Sequence, residues 1–349
     1  MHARALAAGL LLVLAACSSP RPVATPAPRP EPEPAPPRVV VLPEPVATPT
    51  EPAVGSVHHR LGDEIMVAGQ LVHTGAPVRL WFDPPHYDAY RVTYRFAPEG
   101  ERAYDPGNSD VGTPNRYSDR PNKPDTGWTP QALAQQVDQL VMHYDVCGVS
   151  RSCFRVLHDL RGLSIHFMVD VDGTIYQTLD VAERARHATI ANDRSVGIEI
   201  AQIGAYPPGS DTLDDWYEPT DAGTMITLPA WLGDGGVRTP GPWHTSRPDR
   251  VRGSIHSGTL EQHDFTDAQY DSLIKLTAAL NAALPDIRLD APRDPAGNVL
   301  NRTLDPDEFR SFRGVLGHYH IQRNKIDPGP AFDWERVLRG ARELRDRAP

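Results

Sequence analysis

The sequence predicts an α/β protein with a mixed central β-sheet flanked by helices, together with a small β-rich N-terminal region. Between residues 129 and 345, apolar runs with the two-residue period of strands alternate with segments of helical period. Between residues 64 and 94, apolar and polar positions alternate and are interrupted by glycines and paired prolines, which is typical of short antiparallel strands. Strands mixed with helices in this order favour a sheet with helices packed on it.

Residues 1–17 have the properties of an export signal. Arg4 gives a short basic start, and residues 5–14 form an apolar run too short to span a bilayer as a mature helix. The run ends in Leu-Ala-Ala-Cys at Cys17, which resembles the signal of bacterial lipoproteins, where the cysteine becomes the lipidated first residue. We therefore expect a periplasmic protein with a lipid anchor on Cys17 in the outer membrane or cell envelope. An ordinary secretory signal with a chance cysteine is the alternative.

Residues 18–55 are rich in proline and cannot pack a core. They predict an extended polyproline tether, which at about 3 Å per residue reaches roughly 100 Å. A ligand for a proline-binding domain is the alternative interpretation of this segment. A spacer that carries the folded part away from the membrane is the interpretation that we adopt.

The composition excludes one class of function. The formal net charge is −10, whereas nucleic-acid binders usually carry a basic face, so we expect no nucleic-acid partner. The hydrophobic content of 40% is enough for a core. We expect the folded part to be a monomer, with a β-rich region at residues 56–95, a loop at residues 96–128 and the main domain at residues 129–345.

The first elements of the main domain follow in a clear order. Thr129 is a helix cap with Pro130 at the first helical position. The next strand is predicted to end at His143, and residues 164–179 form a hairpin with an Asp-Val-Asp-Gly turn. Residues 195–203 are a further strand, whose alternate side chains face opposite sides of the sheet.

The later elements of the domain are as well marked. Thr266 and Gln269 form a capping-box pattern at the start of an amphipathic helix. Residues 314–319 predict the last strand, and residues 332–345 the last helix. Two segments, residues 205–264 and 285–312, interrupt this order.

Three segments carry chemically active side chains. They are Met-His-Tyr-Asp at residues 142–145, Ser-Val-Gly-Ile-Glu-Ile at residues 195–200, and Gly-His at residues 317–318 followed by Lys-Ile-Asp-Pro-Gly at residues 325–329. In this order the chain resembles the type 2 N-acetylmuramoyl-L-alanine amidases, which are relatives of peptidoglycan-recognition proteins and phage lysozyme-type amidases. The resemblance covers residues 129–340, with the two interrupting segments as insertions.

The resemblance implies hydrolysis of the amide bond between the N-acetylmuramic acid lactyl group and the L-alanine of the peptidoglycan stem peptide. It also implies a zinc ion held by His143, His318 and Asp327, with an open fourth position, which is the composition of a catalytic zinc site. Any one of the fourteen histidines is more often a surface or core residue. We keep that interpretation for five histidines that lie before the motifs: His2, His58, His59, His73 and His86.

Two further residues match the family's catalytic groups. The resemblance implies that Glu199 is the general base and that Lys325 faces the scissile carbonyl. A carboxylate within an apolar strand is costly unless it has a partner or a task, and the small neighbours Gly197 and Ala201 indicate a surface that admits substrate. The alternatives are a solvent-facing glutamate on an edge strand and a solvated loop lysine.

The chain departs from the family pattern at two positions. Ile165 stands where many relatives carry tyrosine, and the Ala-Trp-His pattern of relatives is Ala-Arg-His here, ending at His187. We expect His187 to line the substrate groove or to support the site from behind, and Tyr144 to contact substrate. The loop from His318 to Asp327 is about one residue shorter than the family pattern.

Cys147 and Cys153 are the cysteines that remain after Cys17. Their spacing matches a disulfide of peptidoglycan-recognition relatives, and cysteine pairs usually bond in an oxidising compartment. The resemblance therefore implies a disulfide between them. An auxiliary metal pair is the alternative, although no further ligands are near in the sequence.

The insertions predict surface features. Residues 205–264 are rich in aromatic residues, and we interpret them as a wall of the glycan and peptide groove, with a structural cover as the alternative. Residues 285–312 are interpreted as structural. The histidines of the first insertion lack a coherent ligand spacing: His244, His256 and His263.

Other functions fit parts of the same sequence. A non-catalytic peptidoglycan-binding lipoprotein on the same fold is the main alternative, and an enzyme that cuts a peptide crosslink is a weaker one. Receptors of the first kind typically lack part of the zinc set, whereas this chain retains His143, His318 and Asp327. Metal content distinguishes binding from catalysis.

Overall fold

A six-stranded mixed β-sheet lies at the centre of the structure, a computed structural model that describes residues 60–91, 93–96 and 116–347. These residues all fall within the compact unit His58–Pro349. The predicted signal, Cys17 and the predicted tether lie outside the described residues, as do residues 97–115 of the predicted loop. No helix among the residues described combines the length and apolar character needed to cross a membrane.

The described elements are fifteen strands and five α-helices, with short 3₁₀ turns between them. The strands are β1 (Glu64–Val67), β2 (Gln70–His73), β3 (Val78–Arg79), β4 (Tyr117–Asp119), β5 (Gln139–Tyr144), β6 (Phe167–Val169), β7 (Ile175–Gln177), β8 (Glu183–Ala185), β9 (Ser195–Ile200), β10 (Tyr217–Thr220), β11 (Gly223–Ile226), β12 (Trp243–His244), β13 (Val251–Ile255), β14 (Gly258–Gln262) and β15 (Gly314–Gly317). The helices are α1 (Pro130–Gln136), α2 (Ser150–Phe154), which continues into a π-helical segment (Arg155–Leu160), α3 (Asp267–Ala283), α4 (Pro306–Ser311) and α5 (Trp334–Arg347).

The strand order of the central sheet is β15-β5-β9-β6-β7-β3. The first four strands run parallel to their neighbours, β7 turns back antiparallel to β6, and β3 runs parallel to β7. The carboxyl ends of β15, β5 and β9 therefore meet at one edge, where ligands of open α/β sheets usually bind. The predicted α/β fold class, with its mixed sheet, is confirmed.

The helix caps form as predicted. The side chain of Thr129 accepts a hydrogen bond from the Ala132 amide at the start of α1. Thr266 and Gln269 form the reciprocal capping box at the start of α3. The Gln269 side chain also donates to the carbonyl of Ala201 (2.8 Å), which joins the start of α3 to the chain that leaves β9.

One face of the sheet is covered by α3 and α5. Alternate residues of β5 and β9 point to this face, and their apolar side chains share one core cluster with those of the two helices. A Cβ at Gly340 would lie 2.8 Å from Ile274, so a glycine is needed where α5 approaches α3. The other face is covered by α2, the π-helical segment and the smaller clusters around Phe154 and Phe309.

The β-rich N-terminal region is built into the same sheet. Strand β3 of this region is an edge strand of the central sheet. Ile65 and Val67 of β1 belong to the main core cluster. The Gln177 side chain accepts from the Met66 amide (2.7 Å) and donates to the Met66 carbonyl (2.8 Å). The hairpin β1–β2 is therefore fixed to β7 by hydrogen bonds between the Gln177 side chain and the Met66 backbone, which the sequence pattern did not indicate.

The predicted loop at residues 96–128 contains a short strand, β4, which pairs antiparallel with β8. The reason is Arg120, which is 1% exposed. Its guanidinium donates to the carbonyls of Val181, Asn192 and Ser195. The composition of this segment is rich in proline and aspartate, and it did not indicate that Arg120 anchors the segment to the rest of the fold.

Two predicted strands are shorter than expected. The strand predicted at residues 314–319 ends at Gly317, because the Gly317 amide donates to Nδ1 of His320 (2.9 Å) and a 3₁₀ turn begins at His318. The predicted strand at residues 195–203 ends at Ile200. Its side chains alternate as predicted.

The two predicted insertions have regular structure of their own. The first contains the three-stranded sheet β10-β11-β12 and the hairpin β13–β14. The second contains α4, whose capping box is formed by Asp305 and Glu308.

Candidate active site at the carboxyl edge of the sheet

Parallel pairing of β5 and β9 brings two predicted site residues side by side. His143 and Glu199 are partners in the register of these strands, so their side chains point to the same face. His318 follows immediately after β15, which pairs with the other side of β5. The three residues therefore meet at one edge of the sheet although they are far apart in sequence.

Asp327 joins the two histidines. Its Oδ2 atom lies 2.8 Å from Nδ1 of His143 and 3.0 Å from Nδ1 of His318. The three side chains are buried, and their ligand atoms are close enough to hold one metal ion. The sequence prediction had placed these three residues in one site, and the structure brings them together.

The outer nitrogen of each imidazole also has a partner. Nε2 of His143 lies 3.0 Å from Nδ1 of His187, whose own Nε2 lies 3.2 Å from Oγ of Ser195. Nε2 of His318 lies 2.7 Å from Oε1 of Gln322. Each imidazole therefore directs Nδ1 toward Asp327, and the contact at Nε2 fixes the orientation of the ring.

The protonation states suit a metal site. Burial lowers the pKa of His143 to about 4, so this imidazole is neutral at pH 7. Burial opposes ionisation of Asp327, but the neighbouring His318 and His143 outweigh it and hold the pKa of the carboxyl well below its usual value. A neutral imidazole beside an ionised carboxylate is the combination that binds a metal cation.

Glu199 is a partly buried carboxyl in the same cleft. Burial, with smaller contributions from Asp327 and Asp145, raises its pKa well above the ordinary value. Its Oε2 atom has no hydrogen-bond partner among the residues that the structure describes. A carboxyl with a raised pKa and a free oxygen is suited to accept and release a proton.

The cleft has a volume of about 140 Å³. Val156, Leu157 and Leu163 form an apolar wall, and Lys325 and Arg161 supply positive charge. No carboxylate in the described ranges forms an ion pair with Arg161. Arg161 follows directly on the π-helical segment. This type of helix distortion is frequent at functional sites.

The loop after β5 is held in a strained conformation beside the cleft. Val146 has φ 55° although it is β-branched, and it is 52% exposed. Asp145 fixes this loop, because its Oδ1 atom accepts from the amides of Cys147, Gly148 and Gln202 at 2.9–3.1 Å.

Gly197 has a different structural role from the one predicted. A Cβ at this position would lie 2.5 Å from Cδ1 of Ile165 and 2.6 Å from Nδ1 of His187. The space beside Glu199 is therefore filled by these two side chains. The small residue makes room for His187 behind His143, and the inference of a surface that admits substrate at Gly197 is corrected.

The two residues predicted to contact substrate, His187 and Tyr144, both line the cleft but differ in what their side chains pack against. His187 lines the cleft and also touches His143. The Tyr144 ring belongs to the main core cluster and is 7% exposed, since it points to the face opposite His143. Substrate contact by either residue stays a prediction.

The two cysteines lie close together but are not bonded. Cys147 and Cys153 both line the cleft, and both are free thiols in the structure. Burial raises the pKa of each thiol, which favours the protonated form. The disulfide implied by the family resemblance is absent here and stays a prediction.

Sequence reasoning missed the residues that support the site. Gln322 follows His318 by four positions, a spacing that offered a signal. Ser195 and Arg161 gave none, because a serine at the start of a strand and an arginine after a helix are common on any surface. His244, His256 and His263 belong to neither of the two groups of described residues whose ligand atoms lie close enough to hold a metal ion.

Similarity to known proteins identifies the family to which this chain belongs. A family model described as N-acetylmuramoyl-L-alanine amidase matches residues 133–330, more than half of the chain. No curated protein sequence gives a match. Among solved structures, the chain is similar to a selenomethionine derivative of AmpD, with 20% identity and a TM-score of 0.32 over 65% of this chain and 90% of that one.

Two other solved structures are similar at the same level. AmiD from E. coli, in complex with anhydro-N-acetylmuramic acid-L-Ala-D-gamma-Glu-L-Lys, has 18% identity and a TM-score of 0.33 over 64% of this chain and 65% of that one. AmpDh3 from Pseudomonas aeruginosa, in complex with an anhydromuramic pentapeptide, has 17% identity and a TM-score of 0.32 over 58% and 59%. The chain thus covers less than two thirds of these two proteins. From the family match, the chain belongs to the N-acetylmuramoyl-L-alanine amidase family and is an enzyme of that class.

Proposed function

We propose that this amidase is zinc-dependent and that it hydrolyses the bond between the N-acetylmuramic acid lactyl group and the L-alanine of the stem peptide in peptidoglycan. The observation that carries the proposal is the buried group of His143, His318 and Asp327 next to Glu199 in one cleft. Two imidazoles and one carboxylate form the donor set of a catalytic zinc site, which keeps a position open.

The contacts behind the ligands fit this role. With its proton on Nε2, His143 donates to Nδ1 of His187, and His187 donates from Nε2 to Ser195. His318 donates from Nε2 to the amide oxygen of Gln322. Both Nδ1 lone pairs are then free for a cation, and such partners typically contribute 10–100-fold to metal affinity.

The other groups divide the chemistry between them. When bound, zinc supplies Lewis-acid polarisation at the scissile amide. Glu199 accepts the proton of the attacking water and delivers it to the leaving alanine nitrogen. Lys325 stabilises negative charge on the carbonyl oxygen, and the guanidinium of Arg161 is available for a substrate carboxylate.

The experiment is digestion of purified peptidoglycan followed by mass spectrometry of the products. Stem peptides that begin with free L-alanine identify the bond directly. We expect them from the wild-type protein loaded with zinc and not after chelation. A product cut at a peptide crosslink would contradict the proposed bond.

Variants separate metal binding from proton transfer. His143→Ala, His318→Ala and Asp327→Ala should each lose zinc and activity together. Glu199→Gln should keep zinc and lose activity by about 100-fold or more, and Lys325→Ala should keep zinc and lose on the order of 100-fold. Glu183→Gln, a partly buried glutamate outside the cleft, is the control. A Glu199→Gln protein with near-normal turnover would contradict the mechanism, and wild-type protein without zinc or lysis would support binding only.

We also propose that the protein works in the periplasm, anchored by lipid on Cys17. The proposal rests on the sequence of the signal alone. Cys17→Ala should abolish lipid labelling and release the protein from membranes. Continued labelling of that variant would exclude this site.

A further inference from the structure

The hairpin β13–β14 of the first insertion packs against residues 325–330, the segment that carries Lys325 and Asp327. Gln262, at the end of β14, is fully buried. Its Nε2 donates to the carbonyl of Pro328 (3.0 Å), and its Oε1 accepts from the amide of Ala331 (2.9 Å). One side chain therefore holds the turn that follows Asp327 by two buried hydrogen bonds.

Two glycines make this close approach feasible. Gly329 has φ +86°, and a Cβ there would collide with the Gln262 amide. On β13, a Cβ at Gly253 would lie 2.7 Å from Cβ of Pro330. Glycines at such positions mark places where two backbone segments must come near each other.

The tip of the same hairpin touches the other end of the segment. His256 lies in the two-residue turn with φ 54°, a conformation that tight hairpin turns require. Its Nε2 donates to the carbonyl of Lys325 (2.9 Å), and its amide donates to the carbonyl of Asn301 (2.6 Å). The hairpin thus contacts the segment at Lys325 and just after Asp327.

We propose that the β13–β14 hairpin is a positioning element of the active site, in which Gln262 sets the place of Asp327 and His256 sets the place of Lys325. The inference rests on the proposed function, because it uses the roles proposed above for those two residues. Buried hydrogen bonds hold a loop within a narrow range, and small displacements of reacting groups cost large factors in rate. The insertion therefore supports the catalytic loop, whereas the sequence had suggested a wall of the groove.

The chain offers a matched control for Gln262. Gln177 is also fully buried, and its amide makes the same kind of paired contact with backbone, at Met66. Strand β7, which carries Gln177, is separated from β5 by β6 and β9. Loss of either amide should destabilise the fold to a similar extent, since each leaves a backbone carbonyl and amide without their partner.

The first arm of the test compares zinc affinity by chelator competition in Gln262→Leu and Gln177→Leu. We expect zinc binding about 10–100-fold weaker than wild type in Gln262→Leu, as for other groups that support a ligand. Gln177→Leu should bind zinc like the wild type. Equal zinc affinity in the two variants would overturn the role of Gln262.

The second arm compares kcat, KM and zinc content in His256→Asn and His244→Asn. Asparagine accepts positive φ but is too short to reach the Lys325 carbonyl, and His244 lies in β12 away from the segment. We expect kcat of His256→Asn to fall by about 10-fold or more, with zinc content unchanged because Lys325 is not a ligand. His244→Asn should match the wild type.

The outcomes separate this inference from the proposed function. Wild-type protein that neither binds zinc nor releases stem peptides refutes the proposed function itself. Active wild-type protein with an unaltered kcat in His256→Asn overturns the hairpin inference. If Gln262→Leu does not fold, the second arm alone decides, because His256 lies in a partly exposed turn.

Discussion

The two faces of the central sheet differ in the polarity of the side chains that they carry. On the face covered by α3 and α5, the residues of β5 and β9 are apolar and form one continuous core cluster. On the opposite face, the same strands carry His143 and Glu199, with the buried Asp170 and the partly buried Asp145 nearby. Single strands therefore serve both faces, because alternate side chains point in opposite directions.

This difference indicates where the stability of the protein resides. Burial of apolar area stabilises the helix-covered face. The site face instead holds carboxyl groups whose pKa values are raised by burial, to about 8 for Asp145 and about 7 for Asp170. Such groups oppose folding when they ionise, so we expect the apolar face to stabilise the fold against the cost of the site.

The largest effect on stability should come from the apolar face. Leu338 of α5 is fully buried, and Leu338→Ala should lower the free energy of unfolding by about 2–5 kcal/mol because it leaves a cavity. Leu344 in the same helix is 36% exposed, so Leu344→Ala should cost much less. Chemical denaturation measures both, and similar costs at the two positions would contradict the comparison.

A smaller effect of opposite sign is expected on the site face. Burial raises the pKa of Asp170 to about 7, and its Oδ2 has no partner in the described part of the chain. The unfolded chain releases this proton near pH 4, whereas the folded protein retains it, so stability falls as the pH rises from about 4 to about 7. Asp170→Asn stays neutral and keeps an acceptor oxygen, so it should raise stability at pH 8 by about 1–3 kcal/mol.

The pH profile of unfolding checks this prediction. Below about pH 4 the gain from Asp170→Asn should disappear, since Asp170 is then protonated in both states. Asp172→Asn is the control in the same turn, because both oxygens of Asp172 already have hydrogen-bond partners. A gain at pH 8 for Asp172→Asn as well would assign the effect to the turn and not to burial of charge.

The smallest expected effect concerns backbone strain beside the cleft. Val146 adopts φ 55°, which costs an ordinary residue about 1 kcal/mol relative to asparagine or glycine. Val146→Asn should raise the melting temperature slightly, since the exposed side chain loses little burial. Val146→Ala keeps the strain and should bring no gain, and stabilisation by alanine instead would show that the φ value is not the cause.

The sequence predicted the groups that follow local rules. Alternation in β9 separated Glu199 from the apolar residues on its other face, and capping chemistry located the starts of α1 and α3. The predicted ligands meet because parallel strands end at a common edge. Each of these features depends on residues within a few positions of one another or on the regular geometry of a sheet.

The features that the sequence did not predict depend on contacts between distant segments. Arg120 lies in a stretch whose composition is typical of a loop, yet its guanidinium binds carbonyls more than sixty residues away. Gly197 is small because His187 and Ile165 occupy the space beside it. Gln262 reaches Pro328 across 66 positions. Such pairings require the tertiary fold, which no local pattern encodes.

The separation of the ligands along the chain has a consequence for biosynthesis. His143 and Asp327 are 184 positions apart, and β15 docks against β5 from the far end of the sequence. A nascent chain that ends before β15 already contains His143 and Glu199, but it lacks His318 and Asp327. The proposed metal site can therefore form only after His318 and Asp327 have been synthesised, and we expect a chain that ends before β15 to be inactive however well its remaining strands fold.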